Sequence, residues 1–251
     1  MIPPLDWPRP WFDPWRAAGE PAWQAAHAGQ PVAGALNAAG GAPVRFVSAG
    51  ESAASAQPYE LQVRSGECPT RDNLHDFFNG LCWILLPRAK ARLNELQAAQ
   101  IGRDGIAGRR GPVRDAITVF DENGVLLQAP APLWDALLAR RWRELFVDLR
   151  PLWAHARVLV FGHALLEKLA TPRKDLTGHV WAEPCPSADP AEADTWLHAR
   201  LAPQRLAAKP FTPLPVLGIP SWCGENENFS FYDDSQVFRA RRVAAREPGG
   251  A

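Results

Sequence analysis

The clearest hydrophobic pattern in the chain lies over residues 74–86, LHDFFNGLCWILL. At 100° per residue Leu74, Phe77, Phe78, Leu81 and Leu85 share one stripe, which predicts a core-facing helix. Thr70 or Asp72 is the expected N-cap, and Pro87, which lacks an amide donor, is expected to kink or end the helix. The next row round the helix is His75, Asn79, Cys82 and Leu86. Because LCWILL is apolar on every side, the lower part of that row is covered by protein, and the polar upper part is expected to be at least half buried. A buried His or Asn without a partner costs on the order of 1–3 kcal/mol, so the sequence demands partners for both.

Helical spacing recurs elsewhere. Residues 88–100 form a second amphipathic piece with Leu93 and Leu96 inward, and residues 132–154 carry Leu133, Trp134, Leu137, Leu138, Trp142, Leu145, Phe146, Leu149 and Trp153, with Pro151 as a late kink. RVLVF at 157–161 reads as a buried strand turning at Gly162 into a helix over 163–169, and LTGHVWAEP predicts another short strand. Residues 44–47 and 59–63 read as brief strands around a small-residue loop, 48–57. ITVFDENGVLL predicts a β-hairpin near residues 116–128, with Asn123-Gly124 supplying the positive φ angles of its turn. Short Ala-rich helices are expected between Pro21 and Ala39. The Pro/Ala/Asp-rich stretch 184–195 reads as a flexible insert before a helix near 195–201, and residues 243–251 read as a disordered tail. The fold class that follows is α+β: one domain over 1–251, with several helices packed on a small mixed or antiparallel sheet.

The N-terminal 1–15 carries Trp7, Trp11, Phe12 and Trp15 among five prolines, which predicts an aromatic strap over the domain; an exposed tail awaiting a partner is the alternative. With 251 residues and 47% hydrophobic content, the chain is long enough to bury a sizeable core. Charges balance at 27 basic and 27 acidic residues, so no global field attracts nucleic acid or acidic lipid. Arg88 to Arg114 is locally basic, which keeps nucleic-acid binding only as a third reading. Four widely spaced cysteines, Cys68, Cys82, Cys185 and Cys223, form no Cys-x-x-Cys pair and are expected as buried free thiols. No apolar run reaches membrane-spanning length and the start lacks a secretory pattern, so no membrane partner and a cytoplasmic location are expected.

Candidate chemistry gathers at the polar head of the helix over 74–86. In one reading His75 and Asn79 merely bond to nearby backbone and set the angle at which this helix meets the fold. In the other, His75, Asp76 and Asn79, with Asp121 from the expected hairpin, form a catalytic centre. The strand-to-helix turn VFGHALLEK places His163 at a helix N-terminus, where the dipole favours a neutral ring, and Glu167 lies four residues on along the same face. His75, His163 and Glu167 are therefore the candidate ligands of a divalent metal such as Zn or Mg. Arg71, Arg109 and Arg110 are the candidate binders of a small phosphorylated or carboxylated substrate. Asp115, Asp233, Asp234 and Ser221 are explained by surface pairs and turns, and neither a Gly-x-Ser-x-Gly elbow, a P-loop nor a GxGxxG fingerprint is present. The expected function is a metal-assisted hydrolase, against a non-catalytic binding or scaffold module with structural histidines.

The blocks PTRDNLHDFFNGLCWILLPRAKARLN, RDAITVFDENGVL, VFGHALLEKL with LTGH, and LPVLGIPSW with VFRARR, in this order, resemble the bacterial family called domain of unknown function 3025. The resemblance runs from about Pro58 to Arg242. It implies a single bacterial domain and carries no catalytic role.

Overall fold

The computed structural model describes residues 2–51, 56–105 and 111–241. In chain order its elements are α1 (Arg16–His27), α2 (Val32–Ala39), β1 (Arg45–Ser48), α3 (Tyr59–Arg64), β2 (Glu67–Thr70), α4 (Leu74–Leu85), α5 (Pro87–Asp104), α6 (Pro112–Asn123), β3 (Gly124–Gln128), α7 (Ala131–Ala139), β4 (Arg157–Val160), α8 (His163–Lys168), β5 (Thr177–Trp181), α9 (Pro190–His198), α10 (Pro203–Ala207) and β6 (Phe211–Pro215). Strands β1 and β2 form a small parallel pair joined through α3. The larger sheet has the order β4-β3-β5-β6, antiparallel except where β3 runs parallel to β5. The fold class is α+β, as the sequence predicts.

Helix α4 is the axis of the molecule. Leu74, Phe77, Phe78, Leu81, Cys82 and Leu86 are all buried, and the helix packs on α5 and α8. Its cap is Asn73 rather than Thr70 or Asp72: the Asn73 side chain accepts from the Asp76 amide at 2.8 Å. Pro87 ends α4 and opens α5 at once, because a first-turn proline loses no hydrogen bond. The exposed first amides of α5 are met by a distant residue. Asp194 of α9, itself buried, accepts from the Ala89 amide at 2.7 Å and the Arg88 amide at 3.1 Å.

The N-terminal aromatics lie inside the core. Trp7, Trp11, Phe12 and Trp15 are buried, and Phe12 stacks on Phe78 of α4 with ring centroids 5.6 Å apart. One contiguous hydrophobic cluster includes residues from Ile2 to Phe238.

Four local expectations are corrected. The hairpin near 116–128 does not exist: residues up to Asn123 are α6, and only Gly124–Gln128 is a strand. Ala116, Ile117 and Phe120 are buried at helical spacing, and Gly124 is extended with φ −66°, so no positive-φ turn forms. Residues 59–63, read as a strand, belong to α3, because a run this short has no decisive period. The long helix over 132–154 breaks at Arg140, whose φ of 53° is left-handed, and continues as a wide turn, Glu144–Asp148, and a 3-10 turn, Arg150–His155. The stretch 184–195 contains most of α9, which starts at Pro190 under an Asp189 cap and buries Ala193 and Asp194. Arg109, Arg110 and the expected tail over 243–251 lie outside the described residues. The four cysteines are free thiols, Cys68, Cys82 and Cys185 buried and Cys223 partly so. No described helix is long and apolar enough to cross a membrane.

Candidate active site

The start of α4 is locked before any chemistry is considered. Asp76, one turn in, accepts from the Arg71 amide at 2.7 Å and from the Arg71 guanidinium through Nε and Nη2, each at 3.0 Å. With this clamp and the Asn73 cap in place, His75 and Asn79 emerge one turn apart on the same side of α4. Helix α8 is brought up against them by Gly162: a Cβ there would stand 2.4 Å from the Glu122 carbonyl oxygen and 2.5 Å from the Asn123 amide nitrogen. No side chain fits, so the chain passes directly over the end of α6, and His163 follows at the first position of α8.

The two imidazoles meet. Nε2 of His163 lies 3.1 Å from Nε2 of His75, with the rings nearly perpendicular. Behind His75, Nδ1 is 3.0 Å from Glu167 Oε2; behind His163, Nδ1 is 3.8 Å from Asp121 Oδ2. His163 Nδ1 is buried with no hydrogen-bond partner among the described residues. The line continues into α5 and back to α4. Lys90 Nζ donates to Asp121 Oδ1 at 2.5 Å and to Asn79 Oδ1 at 2.9 Å, and Asn79 Nδ2 donates to the Tyr59 hydroxyl at 3.0 Å. Tyr59 also receives the Trp83 indole N–H at 3.4 Å and lies 3.4 Å from Cys68 Sγ. Five helices are joined by one polar thread.

Burial sets the protonation states. Loss of water around His163 lowers its pKa to about 4, the Asp121 charge opposing this and Lys90 reinforcing it, so the ring is neutral near pH 7. This makes desolvation, more than the helix dipole, the reason for a neutral imidazole. Burial acts on Asp121 in the other direction, raising its pKa. The adjacent Lys90 ammonium and the histidines outweigh that effect and hold the carboxyl below its ordinary value. Burial raises the Tyr59 phenol well above its usual range. His75 remains about one-third exposed and Glu167 behind it 39% exposed at the side chain, so the thread meets solvent at this end.

The thread opens into a cleft of about 360 Å³ lined by His75, Asn79, Lys90, Asp121 and His163, with Arg71 and Asp76 at one side and Glu60 and Glu122 on the wall. Of the expected site residues, His75, Asn79, Asp121 and His163 are brought together. Arg71 and Asp76 line the cleft but are bound to each other. Glu167 is close, yet it does not face the point where the histidines meet: its carboxylate takes the opposite nitrogen of the His75 ring. A three-ligand metal set of His75, His163 and Glu167 is therefore not assembled. Among the described residues no group of three or more His, Cys, Asp or Glu side chains is placed to hold a metal ion.

Residues 44–242 match the family model described as a protein of unknown function, DUF3025. The chain belongs to the DUF3025 family. No curated protein and no solved structure matches it. The matched span holds every residue of the polar thread, from Tyr59 to Glu167, and leaves out the N-terminal aromatic strap.

Lys90, Tyr59 and Trp83 of this DUF3025 chain are not among the residues its sequence singles out. Lys90 carried a usable signal: it lies three residues before Leu93, on the inward stripe of α5, where a lysine needs a buried partner. Its side chain is only 4% exposed. Tyr59 is hidden by the strand reading of residues 59–63. Trp83 is visible only as one more apolar residue of LCWILL, and its indole N–H finds its role through the fold.

Proposed function

We propose that the protein is a hydrolase that works by general acid–base chemistry in the cleft over the His75–His163 pair, on a small neutral or cationic substrate. One observation carries this reading: Glu167, His75, His163, Asp121 and Lys90 stand in a line with no step longer than 3.8 Å, and the line reaches solvent at His75. Glu167 holds the proton of His75 on Nδ1, so the Nε2 lone pair is available to take a proton from water, and the carboxylate stabilises the imidazolium that results. Lys90 spends two of its three N–H donors on Asp121 and Asn79. Its fixed positive charge on the cleft wall suits a developing oxyanion.

The charge balance changes the expected substrate. The lining cations Arg71 and Lys90 are matched by Asp76 and Asp121, while Glu60 and Glu122 add two further carboxylates to the wall. A phosphorylated or carboxylated substrate would enter against this excess; a neutral or amine-bearing one would not. The test is a panel of chromogenic esters and amides carrying neutral, amine or carboxylate groups. Turnover of the first two classes is expected, falling about 10²–10⁴-fold in His75→Ala. Absence of turnover across the panel overturns the hydrolase reading.

A scaffold role is the second reading, favoured by the way the same thread ties α3, α4, α5, α6 and α8 together. It predicts that His75→Ala lowers the melting temperature strongly while the wild-type chain turns over nothing.

A further inference from the structure

We propose that His75 and His163 form a two-histidine clip for a divalent transition-metal ion, bound through both Nε2 atoms, with Glu167 and Asp121 orienting the rings from behind. The clip lies in the cleft assigned above and uses the same His75 Nε2 lone pair that serves there as the base, so ion and proton compete for it; its binding test does not depend on turnover.

Each ring has a carboxylate behind it that fixes where its proton sits. Glu167 stands at hydrogen-bond distance from Nδ1 of His75, and Asp121 is the nearest acidic group to Nδ1 of His163. Each carboxylate favours N–H on the nitrogen it faces. Neutral rings protonated there present two bare Nε2 lone pairs to one another across 3.1 Å. Two lone pairs at that distance repel unless a proton or a metal ion stands between them. The alternative, an N–H on Nε2 of His163, leaves a bare Nδ1 facing the Asp121 carboxylate, also lone pair against lone pair. A metal ion at Nε2 relieves both conflicts, as does a second proton on His75, and the two are competitors for the same position.

A ring nitrogen lies about 1.1 Å from its centroid, so a linear N–H···N bond across this gap would place the centroids about 5.3 Å apart. They are 4.5 Å apart. The ring axes are thus bent away from the N···N line, somewhat further than the roughly 4.8 Å separation of two imidazoles aimed at one ion, so seating an ion turns the rings slightly outward. With nitrogen–metal distances of about 2.0–2.1 Å, the 3.1 Å gap corresponds to an angle at the metal of about 100°, close to tetrahedral.

The donor set then selects the ion. Two imidazole nitrogens suit zinc, copper, nickel or iron and do not suit magnesium, which takes oxygen ligands. Zinc is the probe of choice because its tetrahedral preference matches the angle. Two protein ligands leave coordination positions for water and substrate, and they also make the site weaker than a three-histidine one. Lys90 stands on the far oxygen of Asp121, so the positive charge nearest the clip is already shared with that carboxylate.

The full chain, stripped with a chelator and dialysed, is titrated with Zn2+ by calorimetry and with Co2+ by visible absorption. One ion per chain is expected, with a tetrahedral Co2+ spectrum and a higher melting temperature in Zn2+. His75→Ala, at a partly exposed position, is expected to weaken binding at least tenfold, and Glu167→Gln about 10–100-fold without changing the stoichiometry. His198→Ala, on the surface of α9, leaves binding unchanged. The clip is overturned if the wild-type chain shows no saturable one-to-one binding, or if His75→Ala binds as tightly as wild type. Turnover that persists in the stripped chain together with no binding removes the clip and leaves the hydrolase. Binding without turnover on the ester and amide panel supports the clip and removes the hydrolase alone.

Discussion

Replacing Lys90 by Met removes the positive charge from the centre of the polar thread while keeping most of the side-chain volume. Lys90 is 4% exposed and Asp121 26% exposed at the side chain, and their bond is 2.5 Å long. Removing one member of a fully buried ion pair costs about 3–5 kcal/mol, because the other charge is stranded. Water reaches Asp121 from the cleft and recovers part of that, while the Asn79 carbonyl loses a donor worth about 1 kcal/mol. The net loss expected is about 2–4 kcal/mol. In a chain of this size that lowers the melting temperature by roughly 4–16 °C, read by calorimetry or circular dichroism. The loss shrinks on acidification, since without Lys90 burial dominates at Asp121 and protonation relieves the stranded charge. Lys90→Met/Asp121→Leu, which deletes both charges, recovers at least half of the deficit, giving a coupling of about 1 kcal/mol or more. A shift below about 2 °C in the single variant, or strict additivity in the double one, refutes the claim that the pair is held as a buried unit.

Other outcomes follow from the same geometry. Gly162→Ala places a Cβ 2.4–2.5 Å from backbone atoms of Glu122 and Asn123, so α8 is pushed off α6. A loss of about 1–3 kcal/mol is expected in urea unfolding, with weakened Zn2+ binding, and wild-type stability would contradict the close approach. His163 titrates near pH 4 folded and near pH 6.5 unfolded, so between these values the unfolded chain binds more protons. The contribution of His163 is therefore fully present above pH 6.5 and is lost as the pH drops towards 4, by up to about 3 kcal/mol. In chelator-treated protein His163→Gln should flatten that part of the profile, and an unchanged profile would assign the slope elsewhere. The Cys82 thiol donates to the Phe161 carbonyl at 3.3 Å, and burial pushes its pKa up to about 12. Thiol titration of the native chain should find Cys223 accessible and Cys82 inert until unfolding.

The residues of α4 show why some of this was readable from the amino-acid order. A stripe such as Leu74, Phe77, Phe78 and Leu81 has a local period, and Pro87 is a local stop; both act within one or two turns and both hold, although Leu85, expected at the end of the stripe, is only partly buried and Leu86 takes its place. RVLVF as a strand and His163 at a helix start are legible for the same reason. Where two periods compete over a short span, local order fails. ITVFDEN alternates well enough to look like a strand, but burial of Ala116, Ile117 and Phe120 on one side makes it α6. Residues 59–63 went the same way, and with them Tyr59.

The encounter of His75 with His163, 88 positions apart, is of another kind. Nothing within reach of either residue specifies it. It depends on α4 and α8 packing together, which in turn requires a glycine at 162 small enough to let α8 settle on the end of α6. The same packing sends Glu167 to the far side of the His75 ring and draws Lys90 inward to Asp121. Side-chain types and their local spacing supply the groups, whereas their convergence comes from contacts between distant segments, which the order of residues along a single helix does not encode.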